Sequence, residues 1–406
     1  MSSSPDHHAT LADVVRVLDR HYPPGTAESW DSVGLVSGDP AQPVRKVLLA
    51  VDPVDAVVDE AIAWGADLVF VHHPLLLKGV HSVAATTFKG ALLHKLIRSG
   101  IALYNAHTNA DAAAGGVAEG LAAAVGLVDL EPLVALASAP LDKHVVFVPV
   151  DDAGRLVDAL AAAGAGAIGE YTRCAWQTTG EGTFTPSDAA SPAIGRAGKP
   201  SAVVEARVEM VAPRALRRAV IVAMRAAHPY EEPAFDVLEL ARWDGPTGIG
   251  RVGRLAEPTT LRGFAERVAR ALPPTPQGVR FAGDPAGRVE RVAVVGGSGD
   301  SLFDAVRGAG VDAYLTADLR HHPASEQRER AEFEAGPDRP AVPYLVDVAH
   351  YASEWPWLAQ AATDLRTSLE ITGTTVETRV STLRTDPWTD RVSSPDHVPP
   401  SEGTAP

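Results

Sequence analysis

The chain has 406 residues, more than one simple core holds, so two or three domains are expected. Hydrophobic residues make up 46% and charged residues 21%, the balance of an ordinary water-soluble globular protein. The net charge of −15 argues against a nucleic-acid or membrane-surface binder, which needs basic patches to meet phosphate, yet leaves room for a small anionic substrate where bound cations supply local positive charge.

Residues 1–8 read as a disordered lead, and MSSSPDHHAT lacks the basic flank and apolar core of a signal peptide. Residues 46–52 (KVLLAVD) read as a buried strand. A helix follows over 54–64 with Val57, Val58, Ala61 and Ile62 inward, then a second strand over 67–71 that ends on His72-His73-Pro74. A helix over 88–99 leads to the strand 101–105, which ends on His107. This alternation implies a mainly parallel sheet covered by helices, in which function gathers beyond the carboxyl ends of strands.

The stretch 141–240 reads differently. Strands at 145–150, 203–211 and 235–240 alternate with helices at 152–163 and 213–227, the pattern of a ferredoxin-like module, with a Gly/Pro/Thr loop over 180–200 between its halves. The α/β pattern then resumes with a helix at 259–271, a strand at 291–296, a helix at 301–308, and strands at 312–316 and 343–347. The fold class is therefore α/β: two similar lobes with mixed sheets flanked by helices, built from 9–140 and 241–388, plus an α+β domain over 141–240. The likeness of the lobes rests on the His-His-Pro at 72–74 and again at 321–323. Residues 389–406 read as a disordered tail, and no apolar run is long enough to span a membrane. The single cysteine, Cys174, excludes an internal disulfide and fits a cytoplasmic location.

Three constellations carry chemistry. His72 and His73 point to opposite faces if the strand continues, so sharing one site requires a turn, which Pro74 favours. His107 and Asp111 lie four apart, although Asp111 also suits a helix cap. His350 and Glu354 lie one helical turn apart, a spacing that lets one helix offer two ligands but is also common in exposed pairs. Taken together, His72, His73, Asp111, His350 and Glu354 are too many ligands for one four-coordinate ion and suit two ions sharing a bridging carboxylate. That leaves His107 for orienting or proton-transfer work. His321-His322 lacks an acidic partner in register, with Asp318 the nearby carboxylate, but His322 has reach for substrate. Gly296-Gly297-Ser298-Gly299 reads as a tight turn, His228-Pro229-Tyr230-Glu231-Glu232-Pro233 as a rigid one, and Cys174 as structural.

ESWDSVGL (28–35), FVHHPL (70–75), AHTNAD (106–111), VGGSG (295–299) and DVAHYASE (347–354) resemble the Nif-three-like dinuclear-metal-centre family, also known as GTP cyclohydrolase 1 type 2 homologues. The resemblance runs from about residue 10 to residue 388. GEGTFTPSDAASPAIG and AHPYEEPAFD resemble the inserted PII/CutA-like domain of longer bacterial members. The resemblance implies two divalent ions (Zn, Fe, Mn, Co or Ni) on His72, His73, Asp111, His350 and Glu354, with Glu354 bridging, and a homohexamer of two trimers. It implies a hydrolase that sends metal-activated water to a purine nucleotide, GTP at C8, giving formate and a dihydropterin. His107 and His322 are the proton-shuttle candidates. A two-metal nucleotide phosphatase and a non-enzymatic metal-binding regulatory or scaffold ring are the alternatives. A small-molecule partner is expected, and neither nucleic acid nor membrane. Ser32 stands where the family usually has Asn, Ala349 where Gly is common, and His81 lies in a loop that is usually more basic.

Overall fold

The computed structural model describes residues 8–392 and 394. The disordered lead and most of the disordered tail expected from the sequence lie outside the described residues. The chain divides into two compact units, Met1–Leu136 with Pro246–Pro406, and Ala137–Gly245. Among the described residues, no helix is long and apolar enough to cross a membrane.

The larger unit holds two sheets. The first runs in the order Glu377–Val380, Lys46–Ala50, Leu68–Val71, Ala102–Asn105, Gly34–Ser37, parallel except for the last strand. Its three central strands are apolar at nearly every position because both faces are covered. Val47, Leu49, Leu68, Phe70 and Tyr104 point into a core shared with the helices Leu11–His21 and Trp357–Ile371. Leu48, Ala50, Val69, Val71 and Leu103 point the other way, onto Asp55–Trp64 and Phe88–Arg98. On the first of these helices Val57, Val58 and Ala61 are buried, but Ile62 is 39% exposed. It lies at the flank of the apolar stripe, where the wider helical face drawn from sequence does not reach the sheet.

The second sheet runs Arg280–Ala282, Tyr344–Val348, Ala313–Ala317, Arg288–Ser298, Asp244–Thr260, Leu127–Ala137. Its middle three strands are parallel and its Arg280–Ala282 edge antiparallel. Val292, Val294, Leu315 and Val346 share the core of the first sheet. The mixed α/β architecture, sheets flanked by helices, is thus the one expected. The two His-His-Pro segments are not equivalent in it. His72 directly follows its strand, whereas Asp318 occupies that place in the second sheet, and His321-His322 begin the helix His321–Ala335.

The unit Ala137–Gly245 is a four-stranded antiparallel sheet in the order Phe235–Glu239, Leu141–Pro149, Ser201–Pro213, Trp176–Phe184, with helices Ala153–Ala162 and Arg217–Ala227 on one face. In chain order that is β-α-β-β-α-β with sheet order 4-1-3-2. The strand Trp176–Phe184 takes in the start of the loop expected over 180–200. WQTTGEGTF is an edge strand with no buried residue, so it carries no alternating apolar signal, and Gly180 and Gly182 read as loop.

Candidate metal centre

Residues at the carboxyl ends of strands from both sheets form one cluster. Alternation breaks where the strand Leu68–Val71 ends: the amides of His72 and His73 both donate to the Val51 carbonyl, at 3.1 and 2.9 Å. Both rings therefore turn to the same side, with centroids 5.0 Å apart. His107 follows the next strand, and its ring lies 5.2 Å from His72 and 5.6 Å from His73. His350 opens the short helix His350–Glu354 and lies 5.1 Å from His73.

Glu354 is the hub, and it is almost wholly buried. Its Oε1 lies 2.9 Å from His350 Nε2 and 3.4 Å from His72 Nε2, and its Oε2 lies 3.2 Å from His73 Nε2. Asp111 Oδ1 stands 3.7 Å from His72 Nε2. His72, His73 and His107 each bring a ligand atom within 4.8 Å of the others, and so do His73, His350 and Glu354. Asp111 belongs to neither of these trios and joins the cluster through His72. His322 stands exposed on the first helical turn, its ring neighbour being His321 at 5.1 Å.

Each imidazole is aimed by its other nitrogen. His72 Nδ1 donates to the Ala106 carbonyl at 2.9 Å, which can only accept and so fixes the tautomer. His73 Nδ1 meets Asp52 at 2.6 Å, His107 Nδ1 meets Asp31 at 2.9 Å, and His350 Nδ1 meets Asp318 at 2.7 Å. In the neutral imidazoles that bind metal the proton is on Nδ1 and all four Nε2 lone pairs are free, the arrangement of metal-binding histidines backed by acceptors. Three buried polar atoms then have no hydrogen-bond partner: His72 Nε2, Asp111 Oδ1 and Glu354 Oε2. Unmet buried acceptors are costly. A cation bound among them satisfies all three, so the donor set fits a divalent metal. Imidazole with carboxylate suits several first-row ions.

Sequence reading missed Asp31 and Asp52, and noted Asp318 only as a neighbour. Two of them obey the rule that picked out the histidines. Asp52 and Asp318 lie just past strands of the two sheets, but lone carboxylates at strand ends are too common to single out. Asp31 also accepts from the Thr108 amide and hydroxyl, at 3.0 and 2.5 Å, so it binds the segment 28–32 to the His107 turn. Gly297 explains the glycine run. At φ +67° its backbone lies against the hub, and a Cβ there would stand 2.7 Å from Glu354 Oε1. Its amide donates to Ser353 Oγ, which in turn donates to the His350 carbonyl.

The departures from the family pattern are benign in the backbone. Ala349 caps its helix at φ −67°, ψ 139°, a conformation open to any residue. Ser32 is used through its carbonyl, which accepts from Asn105 Nδ2 at 2.8 Å, and its side chain is exposed. His81 is exposed as well.

Charge in the cluster is strongly coupled. Burial opposes protonation of His350, but Glu354 and Asp318 outweigh it and push the imidazole up to about 10. His72 and His73 are raised in the same way, against burial, chiefly by Glu354. Glu354, despite burial, is held well below the usual carboxylate range by His73, His72 and His350. Burial lifts Asp111 to about 6. Burial and the neighbouring His72 lower His107.

A metal must displace the protons that the raised histidines hold, so affinity should climb with pH. Each displaced proton tightens binding about tenfold per pH unit while pH stays below the raised values. Chelator competition with Zn²⁺ or Mn²⁺ between about pH 6 and about pH 8 measures the slope, and a flat profile contradicts protonation of the raised histidines in the metal-free protein.

The Duf34/NIF3 (NGG1p interacting factor 3) family profile matches residues 9–387. A Mycobacterium leprae protein named "GTP cyclohydrolase 1 type 2 homolog" is 52% identical over 383 residues, spanning 94% of this chain and 95% of the relative. The solved structure of a Bacillus cereus protein related to NIF3 superposes with a TM-score of 0.75 at 35% identity, covering 95% of this chain and all of that one. A Staphylococcus aureus structure gives 0.79 at 29% identity, over 94% of this chain and 99% of its own. The chain belongs to the Duf34/NIF3 family.

Proposed function

From that membership, we propose that the chain is a dinuclear-metal-dependent hydrolase acting on a purine nucleotide. The observation that carries the reading is the hub: Glu354 presents one oxygen to His350 and His72 and the other to His73, with unmet donor atoms on both sides. His72, His73, Asp111, His350 and Glu354 would hold the ions. When bound, a pair of divalent ions supplies Lewis acidity and brings the pKa of a water toward neutrality.

The chain's own residues supply positioning and proton handling. Asp52, Asp318 and the Ala106 carbonyl keep three Nε2 atoms aimed inward. His107 is the proton-handling group. Its lowered pKa keeps it neutral near pH 7, and Asp31 holds the Nδ1 proton, so Nε2 is free to accept one. His322, on the exposed first turn of its helix, is given no step.

GTP is the proposed substrate because the Mycobacterium leprae relative's name refers to GTP cyclohydrolase. Hydrolysis at C8 takes two waters, breaks the bonds from C8 to both imidazole nitrogens of guanine and releases that carbon as formate, and the freed amine then closes onto the opened ribose with loss of one water to give the dihydropterin. Metal-loaded protein with GTP should therefore yield formate and a product that fluoresces as a pterin after oxidation. Phosphate without formate would make the same centre a phosphatase. Stable metal binding without turnover would make it a regulatory or scaffold ring. A cytoplasmic homohexamer of two trimers completes the proposal, and sedimentation of the full chain tests the assembly.

A further inference from the structure

Two sequence segments that the metal centre does not use meet in the unit Ala137–Gly245. The turn 228–234 and the strand-and-loop 178–194 form opposite walls of a cavity of about 560 Å³. Phe147, Glu205 and Arg207 also line it, from neighbouring strands of the sheet. A cavity of this size suits a small molecule.

The walls are built and tied. His228 Nε2 donates to the Phe147 carbonyl at 2.8 Å, and its Nδ1 accepts the Tyr230 amide at 3.1 Å, which fixes the turn to the sheet. From the other wall, the Ser191 amide donates to Glu231 at 3.1 Å. Phe184 and Tyr230 set their rings 6.1 Å apart.

The polar groups inside are unevenly satisfied. Arg207, the single basic residue of the lining, pairs with Glu209 at 2.9 Å and lies over the Phe147 ring. Glu205 lies beside the Tyr230 hydroxyl and pairs with no basic side chain among the described residues, and its carboxylate crosses the backbone of Gly182, where a Cβ would lie 2.2 Å from Oε2. Glycine at 182 is what leaves room for that carboxylate. Tyr230 Oη is buried and faces the Glu205 carboxylate without a well-formed hydrogen bond. Burial and the neighbouring Glu205 push the phenol up to about 12, so it keeps its proton. Glu181, Glu205, Glu231 and Glu232 outnumber the one arginine. Such a cavity repels anions and attracts a cation that has an apolar body.

We propose that this cavity is a second ligand site, separate from the metal centre, and that it takes a small organic cation: a primary amine whose ammonium meets Glu205 while its apolar body lies between Phe184, Tyr230 and Ile194. The Tyr230 hydroxyl gives a further polar contact.

Isothermal titration of the full metal-loaded chain with tyramine tests this, with 4-ethylphenol as the probe lacking the amine. Tyramine should bind at least about tenfold more tightly than 4-ethylphenol, because a charge-assisted hydrogen bond distinguishes them. Glu205→Gln should erase that preference and leave 4-ethylphenol unchanged. Ile194→Trp should fill the cavity and weaken both probes, with the thermal melt confirming that the fold is kept. Equal affinity for the two probes, no tyramine binding, or an unaltered preference in Glu205→Gln overturns the proposal. Metal content and GTP turnover are separate readouts, so failure of the hydrolase reading leaves this result untouched.

Discussion

Glu354→Gln should leave the folded protein with metal affinity reduced by more than about 100-fold, since losing even an orienting partner of a ligand costs 10- to 100-fold. The amide keeps the shape of the side chain. It removes the charge and one acceptor, while His72 and His350 face one of the two oxygens and His73 the other. Metal analysis after dialysis, alongside a melt of the metal-free protein, reads the result. Full metal content in the variant would show that Glu354 only orients its neighbours.

The same variant has a pH signature. In the metal-free protein Glu354 is depressed from 4.5, so its contribution to stability is present above that value and is lost as pH falls. His350 is raised from 6.5 to about 10, so its contribution is complete below 6.5 and fades as pH climbs toward 10. The metal-free protein should therefore be most stable between those ordinary values, while metal affinity still rises with pH. Glu354→Gln should flatten the stability profile, because both shifts stem from one buried ion cluster. Denaturant midpoints across this pH range measure it.

The reach of the sequence can be judged at particular residues. Strand ends were readable because KVLLAVD, DLVFV and IALYN are short apolar runs bounded by turns, and parallel topology then brings the residues just beyond them to one side. That logic gathered His72, His73, His107 and His350 without any distance. The aiming carboxylates stayed hidden because Asp31, Asp52 and Asp318 act through another side chain, a relation that has no spacing in sequence. His322 is the converse case. The repeated His-His-Pro suggested equivalence, but three extra residues carry the second pair past the strand end and onto a helix, while Asp318 takes the place beside the cluster. Trp176–Phe184 was invisible as a strand because nothing in it is buried.

Trp357→Ala should be the most damaging single change to the fold, costing about 3–5 kcal/mol, the range for removing a large buried aromatic side chain. Nothing in SEWPWLAQ marks this tryptophan over Trp355, yet it is the largest of the fully buried side chains. Its ring meets Tyr22, Phe70 and His72 at 5.3, 5.6 and 5.6 Å. The helix Val117–Ala124 packs so close that a Cβ on Gly120 would stand 2.7 Å from the Trp357 Cα, so that helix cannot easily move in to fill a void. Collapse is therefore limited, and the upper part of the range is expected. The loss should also reach the metal: the indole is a wall of His72, and a freed ring should weaken binding about tenfold, as losses of orienting partners do. Denaturation must be run on metal-free protein, because bound ion adds its own stabilisation. Trp388→Ala is the control, since that ring is 65% exposed and its removal should change stability by no more than about 0.5 kcal/mol. If the two variants melt together, the core shared by the two sheets does not rest on Trp357. If Trp357→Ala melts early but binds metal normally, His72 is held by the Ala106 carbonyl alone.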